Sequence, residues 1–242
     1  MAQVTAGPAT ERNLARQHRF WNRRAVEWDL NALDNPGLQK VIDAVVSDAE
    51  LTSTDAVVDL GCGSGQVTFA VADKAGSVLA VDISEEMIRL LLVHARERGA
   101  GNIEGRAEPI ESLQLAPESV DVIVSNYVLH HLRDEDKARF VARAYAWLKP
   151  GGRLVIGDMM FGRGGESRDR SIIASKVLLM AKKGPAGWWR IAKNAARFLF
   201  RVQERPVSLA AWESMLTRAG FLEVTARAVV NEGAVVRGRK PV

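Results

Sequence analysis

The sequence predicts an α/β fold with a doubly wound, seven-stranded and mostly parallel sheet, helices on both faces and an antiparallel C-terminal β-hairpin. Strand-like apolar runs alternate with helical patterns through the middle of the chain, which is typical of parallel strands joined by right-handed crossovers. The alternation ends after residue 221, where two strand-like runs are separated only by residues 231–233. This short separation predicts a hairpin, so the last strand should run antiparallel to its neighbour.

The individual elements follow from apolar runs and from helix start and stop signals. One helix is expected between Ser84, a favoured N-cap residue, and Gly99, since glycine commonly follows the last helical residue. Another begins with three acids at 134–136, which suit the positive end of the helix dipole, and stops at KPGG (149–152). The first five strands are expected at 56–60, 77–83, 101–107, 119–125 and 152–160.

The composition is that of a soluble globular enzyme, with 47% hydrophobic and 26% charged residues in 242. The single cysteine, Cys62, excludes an internal disulfide and suits a reducing compartment. No apolar stretch approaches the roughly 18 residues of a membrane span, and the N-terminus lacks the apolar core of a secretory signal. We therefore expect a cytoplasmic location and a loose N-terminal tail of about a dozen residues.

Glycines and polar residues gather where the predicted strands end. Three glycines within residues 61–65 follow the first strand, Asp82 closes the second, and Glu108 and Asn126 follow the third and fourth. In open parallel sheets, ligands bind beyond the carboxyl ends of the strands, near the switch in strand order. The sequence therefore predicts a binding cleft at this edge of the sheet.

Two kinds of cofactor use a glycine loop of this type. A dinucleotide site has the spacing G-x-G-x-x-G, whereas here the third glycine comes one residue early and Gln66 takes its position. Asp59 would also face the two negative charges of a pyrophosphate, which is unfavourable in a partly desolvated cleft. S-adenosyl-L-methionine carries an ammonium and a sulfonium, which a carboxylate attracts. The charges thus favour this cofactor, while Asp82 suits the ribose hydroxyls of either one.

Several segments together resemble the class I S-adenosylmethionine-dependent methyltransferases, especially the branch of quinone and small-molecule methyltransferases. Between residues 55 and 161 they are VVDLGCGSG, VLAVDISEEMI, GRAEPIESL, SVDVIVSNYVLHHL and WLKPGGRLVI. Their order and spacing make the resemblance specific, and it extends more weakly to the C-terminal hairpin. It implies a Rossmann-like sheet, with a tail and lid helices in residues 1–50 and a methyltransferase domain in 51–242.

The resemblance also implies which residues bind the cofactor. Asp59 and the glycine loop would hold the methionine end, Asp82 the ribose, and Ile83 and Met87 the adenine. Arg106 departs from the family, in which Asp or Asn is more usual. The full set implied in cofactor binding is Trp28, Asp59, Gly61, Cys62, Gly63, Gly65, Asp82, Ile83, Met87, Arg106, Ala107, Glu108 and Asn126.

His130 and His131 are the main candidates for acid–base chemistry. Successive helical side chains diverge by about 100°, so the two are not expected to share a metal or a task. One of them would act as a general base for an oxygen nucleophile, since imidazoles titrate near neutral pH. The alternatives are a structural histidine and a transfer that needs no base, because the sulfonium is already activated. Tyr127 and Asp158 are further substrate-side candidates, and no metal site is expected.

The segment after the fifth strand carries a local excess of positive charge. Residues 163–205 hold eleven Lys or Arg and three acids, a net charge of +8 in a chain of net charge +4. GPAG (184–187) divides the segment into two helices, and the second has a basic and an apolar face. Three interpretations stay open: a lid that favours an anionic acceptor, an anionic-membrane contact through 170–205, and a nucleic-acid surface, which the apolar face disfavours.

Together these features predict an S-adenosylmethionine-dependent methyltransferase. The expected reaction is in-line SN2 transfer of a methyl group to a small-molecule or lipid-like acceptor. Alternatives are a non-catalytic S-adenosylmethionine-binding scaffold or sensor, an RNA methyltransferase and an NAD(P)-dependent oxidoreductase. The sequence leaves open which acceptor atom is methylated and what the oligomeric state is.

Overall fold

The sheet and its helices account for most of the chain that the computed structural model describes, which is residues 8–32, 35–162, 165, 167–181 and 205–242. The strands are β1 (Ala56–Leu60), β2 (Ser77–Asp82), β3 (Ile103–Ala107), β4 (Val120–Asn126), β5 (Leu148–Met159), β6 (Leu222–Ala228) and β7 (Gly233–Arg239). The helices are α1 (Pro8–Ala32), α2 (Pro36–Asp48), α3 (Gln66–Ala72), α4 (Glu85–Arg98), α5 (Asp134–Trp147), α6 (Ser167–Ala181) and α7 (Leu209–Arg218), with a 3₁₀ turn at Leu129–His131.

The strand order is β3-β2-β1-β4-β5-β7-β6. Strands β1 to β5 pair in parallel, whereas β7 lies antiparallel to both β5 and β6. The chain moves outward from β1 to β3 and then returns to place β4 on the other side of β1, so the order reverses between β1 and β4. This arrangement confirms the expected fold class, including the antiparallel hairpin at the C-terminus.

Local signals fix several of the boundaries. The Ser84 hydroxyl accepts a hydrogen bond from the Met87 amide (3.2 Å), and Gly99 ends α4 in the left-handed conformation, as expected. Strand β5 begins four residues earlier than expected, because Leu148 already pairs with Val120 across an irregularity in the ladder. The prediction of a loose tail of about a dozen residues is wrong from Pro8 onward, because α1 begins at this residue. Proline is favoured in the first turn of a helix.

The core lies on both faces of the sheet. On one face, α5 buries Phe140 and packs on β5, and α7 buries Trp212 and packs on β6 and β7. On the other, α2 buries Val41 and Val45 and packs on β4, β5 and β7, while α3 packs on β1 and β2. Although residues 1–50 are expected to form a tail and lid helices, α2 is therefore largely a core helix, because its apolar stripe packs on the sheet.

The basic segment is described only in its first part. Helix α6 is attached to the fold by Asp169, which is buried and accepts a hydrogen bond from the Gly162 amide (2.8 Å), and by Ile172, which is fully buried. The second expected helix lies within 182–204, outside the described residues, so the lid, membrane and nucleic-acid interpretations stay predictions. None of the described helices combines the length and apolarity needed to cross a bilayer.

Truncation of the core on the α5 face tests this packing. Phe140 is fully buried, so Phe140→Ala should lower the free energy of unfolding by about 3–5 kcal/mol through lost apolar burial and a residual cavity. Urea denaturation would measure this, with Leu222→Ala, at a residue 57% exposed on β6, as the control. Similar losses in the two variants would contradict the assignment of Phe140 to the core.

Candidate active site

A pocket opens at the carboxyl ends of β1, β2 and β4, next to the reversal in strand order. It is called the first pocket below. Eleven sequence-predicted residues line it: Trp28, Asp59, Gly61, Cys62, Gly63, Asp82, Ile83, Met87, Asn126, Tyr127 and His131. Parallel strands bring their carboxyl ends to one edge, which explains how Asp59 and Asn126, 67 positions apart, meet here.

The glycine loop has a shape that side chains would prevent. Gly61 has φ +74°, and a Cβ at this position would lie 2.2 Å from a methyl group of Val128. The Gly61 amide donates to the Val81 carbonyl (2.7 Å), which ties the loop to β2. Gly65 precedes α3 with φ +109° and packs against the Phe69 ring, where a Cβ would stand 2.5 Å away. Gly65 thus shapes the loop without lining the pocket.

The Asp82 carboxylate joins the loop to the end of β2. One of its oxygens accepts a hydrogen bond from the Gly63 amide (3.0 Å), and the other accepts one from the Ser84 amide (2.9 Å). Burial raises the pKa of Asp82 to about 6, although both backbone bonds oppose the shift. Each carboxylate oxygen keeps a second lone pair, so the group can still accept hydrogen bonds from a ligand in the pocket.

Asp59 is a second buried acid in the same pocket. Its carboxylate accepts a hydrogen bond from the Thr68 hydroxyl (2.6 Å), yet burial raises its pKa to about 7, and the nearby charge of Asp82 adds to this. Burial also raises the pKa of Cys62, which disfavours the reactive thiolate. Because the ionised forms of Asp59 and Asp82 are poorly solvated, the pocket favours a ligand that carries positive charge.

Asn126 and Tyr127 follow β4 into the pocket. Within the described part of the chain, the buried side-chain oxygen of Asn126 has no hydrogen-bond partner. Tyr127 has φ +54°, a left-handed conformation that costs a non-glycine residue about 1–2 kcal/mol. Burial raises the pKa of its hydroxyl to about 12, so the hydroxyl stays protonated at neutral pH. Strained backbone of this kind concentrates at functional sites.

Helix α1 closes one side of the pocket with aromatic rings. Trp21 and Trp28 pack edge to face with ring centroids 5.7 Å apart, and both line the pocket. They lie seven residues, or two helical turns, apart and thus on one face of α1. Only Trp28 was expected here, although the seven-residue spacing in the sequence also indicates Trp21.

Polar contacts attach α1 to the start of α4. The Ser84 hydroxyl donates to the Asn22 side-chain oxygen, and the Asn22 amide donates to the Glu85 carboxylate (3.0 Å). His18 contacts the same carboxylate at 2.5 Å, and hydrogen bonds from Asn22 and His18 lower the pKa of Glu85 to about 2. Because Ser84 also donates to Asp82, the wall formed by α1 is connected to the buried acid at the end of β2.

Three expected adenine contacts lie outside the lining of the first pocket, namely Arg106, Ala107 and Glu108. Arg106 pairs with Glu104 (3.5 Å) on β3, and Ala107 is exposed. The Glu108 amide donates to the Asp82 carbonyl (2.8 Å), which directs the chain past the pocket. Their contact with adenine stays a prediction that this arrangement does not support.

Ile110 and Glu111 line the pocket instead. The Arg143 guanidinium holds them in place by donating to the Ile110 carbonyl and the Glu111 carbonyl, both at 2.8 Å. Burial raises the pKa of Glu111. No local pattern in the sequence marks these two residues, because their position depends on an arginine about 30 residues away on α5.

A second pocket, with a volume of about 400 Å³, adjoins the first. The wall common to both is formed by Gln17, Trp21, Trp28, Tyr127 and His131. His130 borders the second pocket only. The second pocket thus provides space for another ligand beside the first.

His130 and Asp158 form a buried pair at this second pocket. The Nδ1 atom of His130 lies 2.6 Å from one oxygen of Asp158, and the His130 amide donates to the other oxygen (2.8 Å). Asp158 itself lines neither pocket and contacts His130 behind it. The His130 and His131 rings lie 4.0 Å apart in a 3₁₀ turn, so both border the second pocket despite the expected divergence. Among the described residues, no cluster of three or more His, Cys, Asp or Glu could hold a metal ion.

Comparison with known proteins identifies the family. Residues 57–152 match the family model described as a methyltransferase domain. An arsenite methyltransferase of Aquipseudomonas alcaligenes is 35% identical over 153 residues, which cover 58% of this chain and 42% of that protein. A ubiquinone biosynthesis O-methyltransferase of Agrobacterium fabrum is 31% identical over 153 residues, which cover 62% of this chain and 56% of that protein. Residues 57–152 are thus a class I S-adenosylmethionine-dependent methyltransferase domain.

Structural similarity agrees with this family. The crystal structure of 1,6-didemethyltoxoflavin-N1-methyltransferase from Burkholderia thailandensis superposes with a TM-score of 0.68 at 18% identity, over 100% of this chain and 94% of that one. At this identity the similarity shows the shared fold. The aligned part spans about half the length of the two curated relatives. The cofactor of this methyltransferase family is S-adenosyl-L-methionine.

The first pocket fits this cofactor by its chemistry. Asp59 and Asp82 are buried acids that suit a ligand carrying an ammonium and a sulfonium. Asp82 retains acceptor capacity for ribose hydroxyls, and the buried oxygen of Asn126 is available to a donor such as the ammonium group. The fit thus rests on unsatisfied acceptors and on charge.

Removal of the Asp82 carboxylate should weaken cofactor binding. Asp82→Ala deletes hydrogen bonds from ribose hydroxyls to a charged group, and we expect a loss of about 1.5–3 kcal/mol in binding free energy. Calorimetric titration with S-adenosyl-L-methionine would measure it, with Asp73→Ala, at an exposed acid after α3, as the matched control. Unchanged affinity in Asp82→Ala would remove this residue from the site.

Cofactor binding should release protons near neutral pH. Burial holds the pKa of Asp59 at about 7, and a bound cation favours the ionised form and so lowers that pKa. Affinity should therefore rise as the pH increases through about 7. Calorimetry in buffers of different ionisation enthalpy would count the protons released. An equal release by Asp59→Asn would show that the protons come from another group.

Proposed function

We propose that this methyltransferase transfers a methyl group from S-adenosyl-L-methionine to a hydroxyl oxygen of a small-molecule acceptor. The observation that carries the proposal is the buried His130–Asp158 pair at a second pocket that adjoins the cofactor pocket. Such a pair suits the removal of a proton from an acceptor bound beside the cofactor. A hydroxyl is the acceptor group that gains most from this assistance.

The residues of the first pocket would bind and orient the cofactor. When bound, S-adenosyl-L-methionine supplies an electrophilic methyl group for in-line SN2 displacement by a nucleophile. The acids Asp59 and Asp82 would hold its charged and ribose parts, and the Trp21 and Trp28 rings, which line both pockets, would exclude water from the reacting atoms. Direct contact between two ligands aligned beside these rings would provide a large part of the acceleration.

His130 would act as the general base. With Asp158 accepting a hydrogen bond from Nδ1–H, Nε2 would be the nitrogen that can take a proton. As the bond between acceptor oxygen and methyl carbon forms, the hydroxyl proton would pass to Nε2, and Asp158 would stabilise the resulting imidazolium. The proton would then leave to solvent. Asp158 is thus a positioning residue, held by the His130 amide as well.

The relatives support a small-molecule or lipid-like acceptor. One is named for arsenite and the other for ubiquinone biosynthesis, and neither name refers to a nucleic acid or a protein. A lipid-like acceptor would give residues 170–205 a role at an anionic membrane, and a free metabolite would make them a lid. In either case we propose a cytoplasmic enzyme, with peripheral membrane contact in the first.

Methyl-labelled cofactor tests the proposed function directly. The protein would be incubated with it and a host-cell extract, the extract separated into lipid, nucleic-acid, protein and small-molecule fractions, and label counted against Asp82→Ala. Label in the small-molecule or lipid fraction is the expected result. Label in nucleic acid or protein would contradict it, and no label above the variant would favour a non-catalytic scaffold or sensor.

The labelled product then allows a test of His130. His130→Gln should lower kcat by about 10²- to 10⁴-fold, because a positioned base is lost, and should leave cofactor affinity unchanged, because His130 lies outside the first pocket. Asp158→Asn should lower kcat and alter its pH profile. A normal kcat with a normal pH profile in His130→Gln would show that the transfer proceeds without this base.

A further inference from the structure

We infer that the second pocket binds an aromatic acid, that is, a hydroxylated one- or two-ring compound that also carries a carboxylate. The inference rests on the proposed function in taking this pocket as the acceptor site. A volume of about 400 Å³ lies in the range of sites for small organic ligands, about 300–1,000 Å³. The chemical class follows from what surrounds that space.

The walls of the second pocket are largely aromatic. Phe20, Trp21 and Trp28 come from α1, and Tyr127 comes from the end of β4. Phe20 and Trp21 pack edge to face at 5.1 Å, and Trp21 and the His131 ring do so at 5.6 Å. Rings locked in this way present fixed surfaces to a planar ligand, whereas a saturated ligand would gain less from them.

The charges around the pocket are mainly positive. Among the residues that the structure describes, Arg16, Arg24 and Arg205 border it together with one acid, Glu27. Arg24 contacts Glu27 at 3.7 Å, and both side chains are more than half exposed, so that ion pair is weak. The Arg24 guanidinium also lies 4.9 Å from the centre of the Phe20 ring. Positive charge beside aromatic surface suits an anionic aromatic ligand and disfavours a cationic one.

Arg205 is anchored through its backbone. Its amide donates to the His130 carbonyl (2.6 Å), and its carbonyl accepts a hydrogen bond from the Lys137 ammonium (2.7 Å). Lys137 is fully buried and also donates to the Leu132 carbonyl, so the contact is held from within the fold. The backbone that carries this guanidinium is thereby anchored next to the general base.

In this arrangement, two groups of one ligand would each contact a different part of the pocket. A hydroxyl near Nε2 of His130 would be deprotonated, and a carboxylate on the same ring system would pair with a guanidinium at the pocket border. Guanidinium groups bind carboxylates with two parallel hydrogen bonds, which fixes the ligand in the plane. A small acid bound in this way would be held in one orientation relative to the cofactor.

Binding of defined probes tests this inference without turnover. The protein saturated with S-adenosylhomocysteine would be titrated calorimetrically with 3,4-dihydroxybenzoate, with its neutral methyl ester, with 3,4-dihydroxycyclohexanecarboxylate and with a hydroxynaphthoate. The aromatic acids should bind at least about tenfold more tightly than the ester and the cyclohexane acid, the scale of one hydrogen-bonded charge pair. Equal affinity for acid and ester, equal affinity for the two ring types, or no binding of either aromatic acid would overturn the inference.

Two arginine variants test which guanidinium causes the preference for the acid over the ester. Arg205→Gln should abolish the preference for acid over ester, whereas Arg139→Gln, at a 57% exposed residue on α5, should retain it. Loss of the preference in both variants would mean that general surface charge, and not the pocket, attracts the acid. Binding of the aromatic acids without methyl transfer to any acceptor would contradict the proposed function alone and leave this inference standing.

Discussion

The Asp82 carboxylate is the group on which the geometry of the site depends. It receives the Gly63 amide on one oxygen and the Ser84 amide on the other, so the glycine loop and the start of α4 are held at the end of β2. Through Ser84 the same group is connected to Asn22 and hence to α1, which carries the aromatic wall of both pockets. An acid that could serve a ligand is therefore also part of the scaffold. Any single substitution of Asp82 would therefore affect ligand binding and the scaffold together.

Much of this could be read from the sequence because the signals are local. The glycines at 61–65 and the cap residues Ser84 and Gly99 indicate particular backbone conformations by their residue type alone. Parallel strands then bring the polar residues at their ends to one edge, so the cleft follows from the fold class. Eight of the eleven candidate residues that line the first pocket, those within 59–63, 82–83 and 126–127, meet there for this reason.

The remaining features depend on contacts between distant segments, which no local pattern encodes. Ile110 and Glu111 line the pocket because Arg143 of α5 binds their carbonyls, whereas the expected contacts at 106–108 pass beside it. The pairing of His130 with Asp158 joins residues 28 positions apart. The interaction of Lys137 with Arg205 spans 68 positions. Such contacts are determined by tertiary packing. The same packing places α2 in the core.

The left-handed backbone at Tyr127 bears on how such a protein could be engineered. Glycine or asparagine would relieve about 1–2 kcal/mol of strain at that position, but either would remove a ring that packs against the core on the α2 face. The same replacement would delete a ring that lines both pockets. A design procedure that scores backbone strain alone would therefore replace Tyr127 at the expense of both the packing and the shape of the site.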